Sequence, residues 1–219
     1  MSVSILYEDA ECLVVYKERG VPVQPDLTGD PDLLTLTAEQ SGAPLHPVHR
    51  LDRSVTGLVL FAKGAKAAAR LSADIRDGRM GKEYIAVCAG AEPPSGELCD
   101  LLYHDKRRSK AFVVDRKRAG VKEARLTCHR LSTVEHGGER LHLLHIRLAT
   151  GRFHQIRVQL ASRGAPIVGD GKYGSRRKGA LALHAVRLTF CGAAGEVCVS
   201  APPPSDGSFT LFDERSLSL

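Results

Sequence analysis

The chain has 219 residues, 43% of them hydrophobic, six cysteines and a net charge of +6. That length suits one large domain or two small ones, and no apolar run approaches the roughly 18 residues a membrane span requires. The start Met1-Ser2-Val3-Ser4, then Glu8, Asp9 and Glu11, lacks the basic opening and long apolar core of a secretory signal, and the scattered cysteines form no C-x-x-C pair. A disulfide or zinc framework is therefore not expected, and free thiols in the cytoplasm are.

Alternation at 5–7 and 13–16 predicts a short hairpin pair. Asp30 as N-cap and Pro31 in the first turn predict a helix leading into Leu33, Leu34 and Leu36. The apolar run 58–62 predicts a strand, followed by a helix from about 65 to 77 with Leu71 and Ile75 four apart and Gly78 as its stop. Strands are then predicted at 84–88, 96–103, 110–115, 121–131 and 140–148. Thr150-Gly151 opens a second helix with Phe153, Ile156 and Leu160 as its apolar stripe, and Arg163-Gly164 ends it. Strands at 181–191 and 196–201 precede Pro202-Pro203-Pro204 and a short amphipathic tail. No internal repeat or low-complexity linker divides the chain. The pattern is α+β with a large, mainly antiparallel sheet.

The charge is concentrated. Residues 105–125 hold nine Lys/Arg (106, 107, 108, 110, 116, 117, 118, 122 and 125) against Asp105, Asp115 and Glu123, which accounts for the whole of the +6. A solvated hairpin with basic loops would look the same, but the concentration also suits a surface that follows phosphates.

Two tracts carry chemistry. In His49-Arg50-Leu51-Asp52-Arg53-Ser54-Val55-Thr56-Gly57, a carboxylate stands between two arginines at the mouth of a strand. An ionised Asp attacks carbon without the general base that a Ser hydroxyl needs. The second tract is Gly151-Arg152-Phe153-His154-Gln155-Ile156-Arg157. With Leu13-Val14-Val15-Tyr16-Lys17, Lys82-Glu83-Tyr84, Gly169-Asp170-Gly171-Lys172-Tyr173-Gly174 and Leu183-His184-Ala185, the chain resembles the RluA-type RNA pseudouridine synthases over nearly its whole length. Two departures stand out. The family's Thr-Ser-Gly is here Val55-Thr56-Gly57, and its Lys-Pro-x-Gly is Lys17-Glu18-Arg19-Gly20, the latter far from Asp52 in sequence.

The resemblance implies the pseudouridine synthase fold, a mixed, mainly antiparallel sheet flanked by helices with a cleft that holds rRNA or tRNA. It implies a single catalytic domain over residues 1–219, without the S4-like RNA-binding domain of many relatives, and a monomer is the default expectation. It makes Asp52 the nucleophile, at C6 of the base or C1′ of the ribose, with Tyr84 to stack on the uracil or take its C5 proton. Arg157 holds Asp52's charge, as a guanidinium that does not deprotonate. The isomerisation moves no electrons and adds no atoms, so no cofactor or metal is expected, and no P-loop, G-x-G-x-x-G or metal-spaced cluster is present.

The remaining candidates bind RNA or brace the site. If its segment is extended, Arg50 shares a side with Asp52 and would fill the gap left by a flipped uridine. His49 contacts a phosphate or, the commoner fate, braces its loop. Arg152 lies near a helix N-terminus and suits a phosphate. His154 and Gln155 orient the loop or the RNA, and Lys106, Arg107, Arg108 and Lys110 form the basic turn. His142 and His145 are an odd number apart on a strand, hence on opposite faces and not a metal pair. His184 is expected to be structural, and Arg53 has no assigned role.

Overall fold

The early apolar runs pair as expected: β1 (Ile5–Glu8) and β2 (Cys12–Lys17) form an antiparallel hairpin in the computed structural model, which describes residues 2–217. Asp9 closes its turn. Burial pushes the Asp9 carboxyl up, but the backbone N–H groups of Ala193, Glu11 and Cys12 and the Tyr7 hydroxyl outweigh that and hold it near 2. Helix α1 (Leu33–Ser41) starts later than the sequence suggested. Its N-cap is Asp32, whose carboxylate accepts from the Thr35 backbone N–H at 3.0 Å and hydroxyl at 2.7 Å. Asp30 instead pairs with Arg53.

A short strand the sequence did not signal, β3 (Leu45–Pro47), precedes β4 (Thr56–Lys63) and α2 (Ala65–Arg76). Next come β5 (Gly81–Ala89), β6 (Gly96–Asp105), β7 (Lys110–Val114), β8 (Val121–His136) and β9 (Glu139–Leu148). Strand β8 runs five residues past its expected end because its pairing with β9 continues beyond an irregularity at Arg130/Ser132 to His136↔Glu139. Helix α3 covers Gln155–Ala161, β10 Leu183–Gly192, β11 Gly195–Ser200 and α4 Glu214–Leu217. Among the described residues the result is the expected α+β class, with eleven strands in mixed, mainly antiparallel pairings and few helices.

The chain divides into two compact units. One runs to Lys82 and resumes at His184–Pro203, and the other comprises Glu83–Leu183 with the segment from Pro204. In the first, strand order is β1-β2-β4-β10, with β3 on β4 and β11 on β10. Strand β2 lies antiparallel to β4, whereas β4 and β10 run parallel, His184 opposite Thr56 and Ala185 opposite Gly57. That crossing is so close that a Cβ on Gly57 would meet the Ala185 carbonyl oxygen at 2.3 Å, at a φ of +114°. Glycine is obligatory there. Helix α2 covers this sheet with Leu71, fully buried against Leu58, Leu60 and Phe190; a leucine so buried contributes about 1.5–3 kcal/mol.

In the second unit the order is β5-β9-β8-β6-β7, all antiparallel. Helix α3 packs Val158 onto Leu102, Ala111, Ala124 and Tyr173. No helix among the described residues is long and apolar enough to cross a membrane. All six cysteines are free, three buried and three exposed.

Candidate active site

Asp52 opens a tight turn in the first unit. The Val55 N–H donates to the Asp52 carbonyl at 3.0 Å, and the chain enters β4 at Thr56. The turn is pinned by buried Leu51 and Val55 and leaves Asp52 itself part-buried. Beneath it lies Lys17, the last residue of β2 and wholly buried. Its Nζ donates to the carbonyls of Glu18 at 2.9 Å and Arg53 at 3.0 Å. Burial pushes the Lys17 pKa down to about 8, opposed by the Asp52 carboxylate and reinforced by Arg53's charge. A buried ammonium is costly unless paired, and the Asp52 carboxylate favours the charged form of Lys17.

Arg53 acquires a role that the sequence did not suggest. Its Nε donates to the Gly20 carbonyl at 2.8 Å, and the Gly20 N–H returns a bond to the Arg53 carbonyl at 2.9 Å. Its guanidinium also reaches Thr28 Oγ1 at 3.0 Å and the Asp30 carboxylate. The segment 17–20, distant from Asp52 in sequence, therefore abuts the Asp52 turn. The missing proline of that segment lies next to the site.

Residues 50–52 lie outside β4, so strand alternation has no ladder to act on here. Arg50 is exposed and lines a pocket of about 190 Å³ with Leu51, Arg53 and the segment 22–26, a lining that does not include Asp52. His49 Nε2 accepts the Leu60 N–H at 3.1 Å. Desolvation, with the Lys82 charge second, pulls the His49 pKa to about 3, so the ring is neutral and braces the turn against β4. Thr56 Oγ1 lies 2.9 Å from His184 Nδ1, and His184 Nε2 lies 3.1 Å from the Ala201 carbonyl. The carbonyl accepts, so Nε2 carries the proton and Nδ1 receives the Thr56 hydroxyl. The hydroxyl kept in Val55-Thr56-Gly57 thus holds β4 to β10.

In the second unit Tyr84 sits on β5, buried, opposite Ile146. Arg157, on the inner face of α3, grips Asp170 as a fork: Nε to Oδ2 at 2.7 Å and Nη2 to Oδ1 at 2.9 Å. Side-chain exposures are 9% and 1%, so the pair is nearly dry. The guanidinium also lies over the Tyr173 ring, 5.1 Å from its centroid. Asp170, a buried partner of Arg157 that the sequence did not suggest, lies on a loop whose Gly169 would place a Cβ 2.2 Å from the Ala180 carbonyl oxygen.

Helix α3 begins at Gln155, not at 150–151. His154 is its N-cap, in the left-handed region at φ 53°. Phe153 consequently lies before the helix, not on its apolar stripe, and is sandwiched between His104 at 3.9 Å and His154 at 3.8 Å. Arg152 likewise stands off the helix, with Nε donating to the Glu123 carbonyl at 2.9 Å. Gln155 closes the turn, its Oε1 accepting from Thr150 Oγ1 at 2.8 Å and the Arg152 N–H at 3.0 Å. His154 Nδ1 lies 2.9 Å from the Tyr173 hydroxyl. The basic turn between β6 and β7 is ordered by Asp105, which accepts the N–H groups of Arg107 and Arg108 at 3.0 and 3.1 Å. Lys106, Arg107 and Arg108 are exposed, whereas Lys110 leans over the Tyr173 ring at 5.2 Å.

A sequence profile of the RNA pseudouridylate synthase family matches residues 11–162, a span that contains Asp52, Tyr84 and Arg157. The chain belongs to this family. Among curated members, Ribosomal large subunit pseudouridine synthase D of Yersinia pestis is 34% identical over 180 residues, covering 78% of this chain and 53% of that protein. The Bacillus subtilis protein described as Uncharacterized RNA pseudouridine synthase YhcT is 29% identical over 213 residues, covering 92% and 69%. The chain spans about half the length of the synthase D proteins it matches. The solved structure of Human RNA Pseudouridylate Synthase Domain Containing 1 superposes with a TM-score of 0.77 at 24% identity, covering 93% of this chain and 84% of that one. Human RNA Pseudouridylate Synthase Domain Containing 4 gives 0.74 at 24%, covering 95% and 90%. The pseudouridine synthase fold expected from the motifs is therefore the fold observed.

The two histidines of β9 have separate partners. His142, buried, lies 3.0 Å from Thr133 Oγ1, and His145 lies 2.7 Å from the Glu83 carboxylate. No group of three or more His, Cys, Asp or Glu that could hold a metal occurs among the described residues. Lys17, Asp170 and Tyr173 were not singled out for a role by the sequence. Burial of a charged residue at the end of an apolar strand was the one signal available for Lys17.

Proposed function

We propose that this chain is a cofactor-free RNA pseudouridine synthase acting in the cytoplasm on specific uridines of structured RNA, in large-subunit rRNA or tRNA. The observation that carries the reading is the family match across 11–162, which takes in Asp52, Tyr84 and Arg157 together; binding alone does not require that set. Asp52 is the nucleophile. The bond from C1′ to N1 breaks, the uracil turns in its pocket, a bond from C1′ to C5 forms, and the C5 proton leaves while N1 gains one. Tyr84 stacks on the loose base and takes or relays that proton. Arg157 stabilises the attacking carboxylate, and the buried ammonium of Lys17 adds to that field. Arg50 replaces the flipped uridine in its stack. Arg152, His154 and the Lys106, Arg107, Arg108 and Lys110 turn hold phosphates, with His49 as a brace. The printed name of the Yersinia relative favours large-subunit rRNA over tRNA.

RNA carrying tritium at uridine C5 tests the reading. Tritium release that Asp52→Ala abolishes is the expected result. RNA binding without release would reduce the chain to a binding module, and free uracil would make it a hydrolase. Mapping pseudouridines in rRNA and tRNA from cells lacking the protein identifies the substrate.

A further inference from the structure

Phe153, half-buried, packs against the Leu102, Ala111 and Ala124 cluster from just before helix α3. His154 beside it occupies the left-handed region at φ 53°, a conformation that costs free energy in most residues although His tolerates it better than most. The consequence is three flat rings in one column, His104, Phe153 and His154, with successive centroids 3.9 and 3.8 Å apart and interplanar angles of 19° and 20°. All three remain partly exposed. At one end the column is closed: His154 meets Tyr173 edge-on at 5.6 Å and is hydrogen-bonded to its hydroxyl. At the other end His104 is the last ring. His104 stands on β6 beside the basic turn, one residue from Asp105, which orders the exposed Lys106, Arg107 and Arg108.

Flat rings at stacking distance beside a row of exposed cations are what a single-stranded nucleic acid requires. Any base offers a π-face to the rings, and its phosphates meet the cations. We propose that His104, Phe153 and His154 form a stacking ladder for an unpaired nucleobase of the RNA substrate, other than the uridine that is modified, with Lys106, Arg107 and Arg108 holding the flanking phosphates. The inference rests on the RNA reading above and adds a base-binding subsite to it. The ladder is tied through Tyr173 to Arg157, whose guanidinium lies over the same ring. A base that seats on His104 therefore settles the ring on which the buried Arg157–Asp170 pair rests.

The test is binding of fluorescein-labelled dodecauridine, by anisotropy, across a series of salt concentrations. His104→Ala removes the terminal ring with the least disturbance to packing, and should weaken binding about ten-fold with no change in the slope of log affinity against log salt. His104→Tyr should restore it. A Lys106→Ala/Arg107→Ala/Arg108→Ala variant should instead flatten the slope, by about 0.7 for each phosphate no longer neutralised. Binding by His104→Ala within two-fold of wild type, or failure of His104→Tyr to restore it, would overturn the ladder. Tritium release by the same preparations separates the two readings. If wild type releases tritium and His104→Ala binds as tightly, the ladder alone is wrong. If wild type neither releases tritium nor binds the oligonucleotide, the RNA reading is wrong and takes the ladder with it.

Discussion

Removing Asp170 takes the fork partner from the Arg157 guanidinium in a nearly dry site. The two side chains are 1% and 9% exposed and share two bonds, at 2.7 and 2.9 Å. For an exposed pair the loss would be about 0–1 kcal/mol. Here the remaining charge has little water to turn to, and breaking such a pair costs about 3–5 kcal/mol. For a chain of this size each kcal/mol lowers Tm by roughly 2–4 °C, so Asp170→Ala should melt about 6–20 °C below wild type. Calorimetry with parallel urea unfolding reads the change. The double variant Asp170→Leu/Arg157→Met removes both charges of the pair and should recover most of that stability; on the role proposed for Arg157 it should remain inactive. A loss of less than about 1 kcal/mol in Asp170→Ala would refute the reasoning, since the guanidinium would then be adequately solvated without its partner.

Gly57→Ala should destabilise by more than about 3 kcal/mol in urea unfolding, because its Cβ would overlap the Ala185 carbonyl oxygen at 2.3 Å with φ at +114°; near-native stability would mean that β4 and β10 separate easily. The depressed His49 pKa, about 3 against 6.5 unfolded, contributes stability that is present above 6.5 and lost as pH falls through that window towards 3. NMR should show no His49 titration near pH 6–7, and a midpoint there would refute the desolvation of its ring. Lys17 is lowered to about 8 from 10.5, so its buried charge burdens the folded state below pH 8. Wild type should therefore gain stability relative to Lys17→Met as pH rises from 8 to 10.5; a difference independent of pH would show an unperturbed amine.

Much of the fold was legible because strand signals are local. The run 58–62 and the pair Leu71/Ile75 needed only periodicity, and both elements are where they were expected. Helix starts were less legible because capping depends on which side chain reaches which N–H. Asp30 and Asp32 are equally good caps in sequence, yet Asp30 is drawn away by Arg53, and only Asp32 is free to meet Thr35. At α3 the same uncertainty moved Phe153 from an apolar stripe into a stack of rings. At the site, the motifs pointed to Asp52 and Arg157 but not to the residues that hold them. Lys17 and Gly20 bond to Arg53, next to Asp52, across 36 and 33 residues, and Asp170 bonds to Arg157 across 13, and no spacing rule reports such bonds.

The parallel contact between β4 and β10 has a further consequence for synthesis. Thr56 and His184 are 128 residues apart, and the unit they close is interrupted by the whole of Glu83–Leu183. A ribosome adding about 5–20 residues per second leaves β4 waiting several seconds for its neighbour. Meanwhile the start of β4 at Thr56 and Gly57, buried in the finished protein, lacks its β10 neighbour and is open to any other nascent chain, although β3 already pairs with β4 from Phe61 to Lys63. The intervening unit, with its sequential antiparallel pairings, is free to close first. Vectorial folding would thus run from the middle of the chain outward, and the unit that carries Asp52 would be the last to assemble and the first to need a chaperone.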